Sequence, residues 1–118
     1  MTSDNVVAMT SNKTPPKLRA DMAARATQAA EFLRILANQN RLMIVCTLVE
    51  GERSVGELEA LLGIHQPTLS QQLAVLRDGG FVETRRDAKQ IFYRLTEDRA
   101  ARLVTVLYDI FCAEEDQP

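Results

Sequence analysis

The chain has 118 residues and a net charge of −2, with 46% hydrophobic and 25% charged residues. These values are typical of one folded domain and exclude a strongly basic, general nucleic-acid binder. Residues 1–11 lack a basic stretch followed by an apolar run, and the predicted helices carry charges throughout, so we expect no signal peptide, no membrane span and a cytoplasmic location.

The first half of the chain predicts an arm followed by two helices. Residues 1–16 are polar and end in two prolines, which predicts a flexible N-terminal arm before a domain over residues 17–118. Apolar residues at helical spacing predict a helix over Lys17–Ala37. The asparagines in Asn38–Asn40 offer an N-cap for a second helix, Arg41–Val49.

A short third helix is predicted by its two ends. Ser54 precedes Glu57 by three residues, the spacing of a capping box, and the apolar run then continues to Leu62. Gly63 closes the helix, because glycine adopts the left-handed conformation at little cost. A tight connection then leads to the next helix.

The fourth predicted helix starts near Pro67 and ends at about Asp78, and it has two distinct faces. Leu69, Leu73 and Leu76 form one stripe that we expect to be buried. The opposite face carries amides and hydroxyls on Gln66, Thr68, Gln71 and Gln72, which are groups that hydrogen-bond base edges in the major groove. The predicted DNA-binding residues of this segment are Gln66, Pro67, Thr68, Ser70, Gln71, Gln72 and Arg77.

Two helices joined by a short glycine-containing turn indicate a helix-turn-helix. The same polar face on an ordinary helical hairpin would simply be solvated, so the pattern leaves that alternative open. The charge distribution is similarly ambiguous: residues 66–95 carry a net charge of +2 and residues 97–118 a net charge of −4, which suits a phosphate-facing surface but also ordinary solvated charge.

The next segments predict a β-hairpin with a basic tip. Phe81–Arg86 and Gln90–Leu95 are strand-like and are separated by Asp87–Lys89. Arg85, Arg86 and Lys89 at the tip are predicted to contact phosphate or the minor groove. The order predicts a winged helix-turn-helix, mainly α with a small β-hairpin, of about five helices and a two- or three-stranded wing.

Thr96 predicts the N-cap of a last helix that runs from Glu97 to about Ala113. This helix is apolar over a wide arc, which predicts packing against a partner helix of the same chain or of a second subunit. The apolar residues are Leu103, Val104, Val106, Leu107, Ile110 and Phe111.

The segments Leu48–Glu52, Val55–Leu58, Ile64–Leu73 and Val75–Arg77 resemble the arsenic-repressor (ArsR-type) family over roughly residues 30–111. The resemblance implies a homodimeric winged-helix repressor whose first and last helices form the dimer contact. It also implies a recognition helix around residues 66–77, binding to an inverted repeat in double-stranded operator DNA, and release when an inducer is sensed.

Many members of that family sense metals, often through paired cysteines at the start of the helix before the recognition helix. The matching positions here hold Ser54 and Gly56, and the single histidine, His65, lies in the turn. Two thiolates without histidine make a poor zinc site, which usually has four ligands. We therefore expect no metal ligand and no cofactor; a metal- or metalloid-sensing repressor that uses the same cysteines is the alternative.

Cys46 and Cys112 are the two cysteines, one in the second helix and one in the last. The simplest interpretation is two buried residues that act as small hydrophobes. However, the segments 42–52, 89–96 and 107–112 resemble the sulfide- and persulfide-responsive branch of the family, the BigR- and SqrR-like repressors. That resemblance implies that Cys46 and Cys112 are a redox-sensing pair: reactive sulfur species or oxidation link them, the repressor leaves DNA, and sulfide-detoxification genes are derepressed.

Two other classes of function are less consistent with the sequence. The chain has no Cys-x-x-Cys motif, no obvious base for either cysteine and no phosphate-binding glycine loop. We therefore expect that it is not an enzyme. A winged helix that binds other proteins rather than DNA is a second alternative. The polar helix face and the basic hairpin tip favour DNA binding over this alternative.

Overall fold

The structure, a computed structural model, describes residues 16–112, with side chains from residue 19 onward. The chain divides into two compact units, one up to residue 34 and one from residue 35 onward. Within residues 16–112 there are five helices, α1 Pro16–Leu36, α2 Gln39–Val49, α3 Val55–Leu62, α4 Thr68–Asp78 and α5 Asp98–Phe111, and three strands, β1 Arg53–Ser54, β2 Val82–Asp87 and β3 Gln90–Leu95. The predicted arm lies outside the described residues, except for Pro16, where α1 begins. Residue 113, the predicted end of the last helix, also lies outside them.

The ends of α2 and α3 follow the predicted capping signals. The Ser54 hydroxyl accepts from the Glu57 backbone N–H at 3.1 Å, and the Glu57 carboxylate accepts from the Ser54 N–H at 2.8 Å, which confirms the capping box. Gly63 ends α3 in the left-handed conformation with φ 69°, as predicted. Asn38 caps α2, and its side chain accepts from the Arg41 N–H at 3.0 Å.

The prediction that Thr96 caps the last helix is wrong. Glu97 is the N-cap of α5, and its carboxylate accepts from the Arg99 N–H at 3.0 Å. The backbone N–H of Thr96 donates to the Phe81 carbonyl at 2.9 Å, so the hairpin end holds this residue one position before the cap. A carboxylate at the N-cap also benefits from the positive end of the helix dipole.

The three strands form an antiparallel sheet in the order β1–β3–β2. β2 and β3 make the predicted hairpin, with Val82 opposite Leu95 at its base and a two-residue turn in which Ala88 has a φ of 59°. β1 adds a short third strand through the pairing of Arg53 with Tyr93. Because β1 leads directly into α3, the wing is anchored at the start of the helix-turn-helix.

The core of the second unit lies where α2, α3, α4 and α5 meet the hairpin. Its largest fully buried side chains are Ile44, Val45, Leu58, Leu69, Leu73 and Leu76. The leucine stripe of α4 is therefore buried as predicted, which turns the rest of that helix outward. Within residues 16–112, no helix combines the length and the hydrophobicity that a membrane span requires.

We expect the substitution Ser54→Ala to lower the free energy of unfolding by about 1 kcal/mol, because it removes the acceptor for the Glu57 N–H at the first turn of α3. Urea unfolding followed by circular dichroism measures this change. Glu57→Gln is the matched control: it keeps an acceptor for the Ser54 N–H and should cost less. Equal stability of Ser54→Ala and the unsubstituted protein would contradict the stabilising role of this cap.

Candidate DNA-binding surface and thiol pair

Six of the seven DNA-binding residues predicted in this segment are exposed, two just before α4 and four on its outward side. They are Gln66, Pro67, Thr68, Ser70, Gln71 and Arg77. Pro67 occupies the N-cap position, just before the first turn in which it was expected, and it makes no side-chain capping hydrogen bond. The start of α4 therefore needs its capping interaction from another residue.

Gln66 supplies that interaction from the position before Pro67. Its Oε1 accepts from the Ser70 backbone N–H at 3.2 Å and also from the Ser70 hydroxyl. Ser70 is the third residue of α4, so one of the unpaired N–H groups of the first helical turn is satisfied. Gln66 was predicted to bind DNA, which stays a prediction, and its contact with Ser70 was not predicted.

Gln72 is placed differently from its prediction. It is half-buried at the edge of the leucine stripe, and its Oε1 accepts from Arg41 Nη1 at 2.6 Å. Arg41 Nε in turn donates to the Ile35 carbonyl at 2.5 Å. The prediction that Gln72 lies on the outward polar face is therefore wrong. Its side-chain carbonyl group instead connects α4 to α2. Its contact with DNA stays a prediction.

Arg85 is also placed differently, because it lies along the hairpin rather than free at the tip. Its Nε and Nη2 each donate to a carboxylate oxygen of Glu52 at 2.8 Å, and Nη1 lies 3.6 Å from the Asp87 carboxylate. Its Cζ is 4.5 Å from the centre of the Phe92 ring, a cation–π distance. The hydrogen bonds from Arg85 lower the pKa of Glu52. Arg85 therefore ties the wing to the loop after α2.

Arg86 and Lys89 are the cations that the hairpin tip presents to solvent. Both are exposed, and neither forms an ion pair or a side-chain hydrogen bond with any residue between 16 and 112. Successive residues of a strand point to opposite faces, so Arg86 points away from the face on which Arg85 meets Glu52. Their predicted contact with phosphate stays a prediction.

The two cysteines lie on helices that pack against each other. Cys46 is on α2 and Cys112 is the C-cap residue of α5, where its N–H donates to the Tyr108 carbonyl at 2.8 Å. Both are exposed in the described chain, so the interpretation of two buried hydrophobes is contradicted. Cys46 lines a cavity of about 340 Å³ whose walls include Val104 and Tyr108.

The environment of Cys46 raises the pKa of its thiol above the ordinary value of 9.0. Partial removal of water by the cavity walls is the larger cause, and the negative charge of a Cys112 thiolate is the second. The two cysteines are 66 residues apart in the chain, but the helices that carry them pack against each other.

The residues weighed as metal ligands have other contacts. The Ser54 hydroxyl serves the capping box, and the exposed His65 places Nδ1 3.7 Å from a Glu59 carboxylate oxygen. Within residues 16–112, no three histidine, cysteine, aspartate or glutamate side chains are grouped closely enough to hold a metal ion.

Comparisons with known proteins identify the family to which the chain is similar. The sequence profile described as bacterial regulatory protein, arsR family, matches residues 38–84. The chain is 62% identical over 109 residues to the biofilm growth-associated repressor of Xylella fastidiosa (strain Temecula1), covering 92% of this chain and 96% of the relative. It is 65% identical over 95 residues to the protein of the same name from Agrobacterium fabrum, covering 80% of this chain and 81% of the relative.

Solved structures agree with these sequence matches. The crystal structure of the transcriptional repressor BigR from Xylella fastidiosa has a TM-score of 0.77 at 66% identity, covering 80% of this chain and 97% of that one. Reduced HlyU from Vibrio cholerae has a TM-score of 0.74 at 38% identity, covering 78% of this chain and 97% of that one.

A helix-turn-helix whose second helix has an exposed polar face, followed by a hairpin that β1 completes to a three-stranded sheet, defines a winged helix-turn-helix DNA-binding regulator rather than an enzyme. The chain belongs to the ArsR family of bacterial regulatory proteins, and within it the chain is a BigR-like transcriptional repressor. The family and the fold predicted from the sequence are thus confirmed.

The wing contacts make a prediction for DNA binding. Arg86→Ala should weaken binding to all duplexes and lower the slope of log affinity against log salt by about one unit, because one phosphate contact is lost. Fluorescence anisotropy over a salt series measures the slope. Arg85→Gln is the control and should change the slope less, because Arg85 is already paired with Glu52. A slope that falls with Arg85→Gln and not with Arg86→Ala would contradict this assignment.

The raised pKa of Cys46 makes a second prediction. Only the thiolate reacts with iodoacetamide, so the midpoint of the pH–rate profile of Cys46 should lie above that of an unstructured cysteine peptide. Cys112→Ser should move that midpoint down, because the repulsion from a Cys112 thiolate is removed. Mass spectrometry of the Cys46 peptide follows the reaction. A midpoint at or below that of an unstructured cysteine peptide would contradict the environment described for Cys46.

Proposed function

We propose that this chain is a homodimeric repressor that binds an inverted-repeat operator while Cys46 and Cys112 are thiols, and leaves it when the two are linked by reactive sulfur species or oxidation. The observation that supports the proposal is that the chain's two cysteines are both exposed and lie on α2 and at the end of α5, two helices that pack against each other. Sulfide-detoxification genes are the proposed targets, as the family resemblance implies.

The proposed chemistry consumes a low-molecular-weight persulfide, RSSH. One cysteine thiolate attacks the outer sulfur, which forms Cys–S–SH, and RS⁻ leaves and takes up a proton. The second thiolate attacks the cysteine-bound sulfur and expels HS⁻, which leaves a disulfide. If both cysteines first become persulfides, two RSH and one H₂S are released and a trisulfide remains. In each case the two electrons lost by the thiol pair reduce a sulfane sulfur to sulfide.

The link acts on the two helices that connect the dimer contact to the recognition helix. α2 contacts α4 through Arg41 and Gln72. α5 carries four large apolar side chains that are 50–67% exposed, which suits burial against a second subunit together with α1; these are Val106, Tyr108, Ile110 and Phe111. A linked pair that shifts α2 against α5 changes the spacing of the two recognition helices, which operator DNA requires to be about one helical turn.

A change of this kind has a typical magnitude. Coupling energies between a sensing site and a binding site are about 1–3 kcal/mol, which corresponds to an affinity about 5- to 150-fold lower. Displacement from the operator therefore does not require the recognition helix to unfold. It requires only that two half-sites are no longer reached at once.

The switch predicts a specific response to persulfide. Reduced protein should bind operator, and persulfide should lower its affinity and form a Cys46–Cys112 link within one chain, seen as a monomer-sized band under non-reducing conditions. Cys46→Ser and Cys112→Ser should each retain binding and lose the response, because a link needs both sulfurs. Intact mass spectrometry distinguishes a disulfide from a trisulfide, which carries one additional sulfur.

Several outcomes would contradict this proposal. Release of both serine variants by persulfide would show that the cysteines are not the switch. Variants that mainly lose stability, by about 1–3 kcal/mol for a poorly hydrogen-bonded hydroxyl, together with no response of the unsubstituted protein, would indicate a packing role. Stoichiometric release by zinc, cadmium or arsenite in a thiol buffer would favour the metal-sensing alternative.

A further inference from the structure

The cavity that Cys46 lines is a groove between α2 and α5, called here the α2–α5 groove. Cys46 and Glu50 line it from α2, and Val104 and Tyr108 line it from α5. Both pairs have the i, i+4 spacing that places side chains on one face of a helix. α5 continues past Tyr108 to Cys112 at its C-cap, so the groove extends from Cys46 along the part of α5 that precedes Cys112.

The walls of the α2–α5 groove suit an apolar group. Its lining includes the side chains of Val49 and Val104, and two hydroxyls, on Thr47 and Thr105. Each hydroxyl donates its one hydrogen to the carbonyl four residues earlier in its own helix, at 2.9 and 2.8 Å, so neither offers a donor to a ligand. The volume of about 340 Å³ lies at the lower end of the range of about 300–1,000 Å³ that is typical of small-molecule sites.

The charges around the α2–α5 groove disfavour an anionic ligand. Glu50 is its one charged residue among the described residues that line it, and its carboxylate lies 3.5 Å from Arg53 Nη2, outside the lining. A ligand carboxylate that entered this groove would lose water and gain no cationic partner from the walls. An uncharged apolar group would instead be stabilised by removal of its surface from water.

The position of the α2–α5 groove also fits the direction of sulfur transfer. In a displacement at sulfur, the attacking and leaving sulfurs lie on opposite sides of the sulfur that is attacked. When the Cys46 thiolate attacks the outer sulfur of RSSH, a bond forms between these two sulfurs, the RS–S bond breaks, and RS⁻ leaves and takes up a proton. With R in the groove, RS⁻ departs away from Cys112, whose thiolate can then attack the Cys46 sulfur and expel HS⁻.

We propose that the α2–α5 groove binds the organic group of the inducing persulfide, that Cys46 is the thiol that attacks first, and that the groove selects an uncharged apolar group over an anionic one. The inference rests on the proposed thiol switch and deepens it, because it assigns a substrate class. A benzyl group is the size of ligand that fits, since a benzene ring occupies a cavity of about 150 Å³. Tyr108 is shared with the proposed subunit contact, and the other lining residues are not.

The test measures each thiol separately in the full-length reduced protein. Cys112→Ser leaves Cys46 to react, and Cys46→Ser leaves Cys112. Each variant is mixed with benzyl persulfide or glutathione persulfide and quenched with iodoacetamide, and intact mass spectrometry measures the alkylated persulfide over time. Each rate is divided by that of an unstructured cysteine peptide, which removes the intrinsic reactivity of the reagent. The normalised rate of Cys46 should be about 10-fold higher with benzyl persulfide, and Cys112 should show no such preference.

Two matched pairs of variants, made in the Cys112→Ser background, test the groove itself. Val49 and Val75 are 42% and 38% exposed, but only Val49 lines the groove, so Val49→Asn should remove most of the preference and Val75→Asn should retain it. Glu50→Lys supplies a cation and should raise the normalised rate with glutathione persulfide. Asp78→Lys makes the same change of charge on α4 and should leave that rate unchanged.

The outcomes separate the groove from the switch. Equal normalised rates of Cys46 with the two persulfides, an equal preference at Cys112, or a preference that Val49→Asn leaves intact in a variant with an unchanged circular dichroism spectrum would overturn the inference. A Cys46–Cys112 link formed by the unsubstituted protein in the same experiment would then still support the switch. If neither persulfide forms that link, the proposed switch fails and the inference fails with it.

Discussion

Burial of one face of α4 is the constraint on which the DNA-binding surface depends. Leu69, Leu73 and Leu76 are 0–1% exposed, and truncation of such a leucine typically costs about 2–5 kcal/mol. A helix cannot rotate about its axis without moving all three side chains out of the core. The stripe therefore decides which polar residues of α4 face outward, and the position of the wing follows, because β2 packs against the same helix.

Several polar side chains around α4 and the wing stabilise the fold, although their residue types alone do not indicate this role. Arg85 and Arg86 are neighbours in sequence and equally basic, yet Arg85 is clamped by Glu52 while Arg86 is free of such contacts within residues 16–112. The pleat of a strand separates them, because adjacent side chains point to opposite faces. One arginine fixes the wing and the next is presented to solvent, so the rigidity of the hairpin and its charge come from different residues.

The features that the sequence predicted well are those set by short-range rules. The capping box at Ser54, the left-handed Gly63 and the leucine stripe each depend on residues a few positions apart. Contacts between distant residues were not predictable: Glu52 and Arg85 are 33 residues apart, and Arg41 and Gln72 are 31 apart. No local pattern specifies such partners.

Two errors show where local rules compete. Thr96 and Glu97 are both plausible caps, and the structure uses Glu97, while the backbone N–H groups of both residues donate to the Phe81 carbonyl, a contact that the sequence does not show. Cys46 stands in an apolar run, which favours burial. The adjacent Val45 is completely buried, and the next helical position is rotated by about 100°, which turns the cysteine to the surface. The pairing of Cys46 with Cys112 as sensors came from family resemblance and stays a proposal.

The distance between the two cysteines along the chain has a thermodynamic consequence for the proposed switch. They bracket β1, α3, α4 and both long strands, so a covalent link would enclose nearly the whole DNA-reading part of the protein in one loop. Closing a loop of this length in the unfolded chain removes conformational entropy equivalent to about 4 kcal/mol in the simplest treatment. The form that has left DNA would then be the more resistant to unfolding, and its lifetime would be set by the cell's reductants rather than by turnover of a damaged protein.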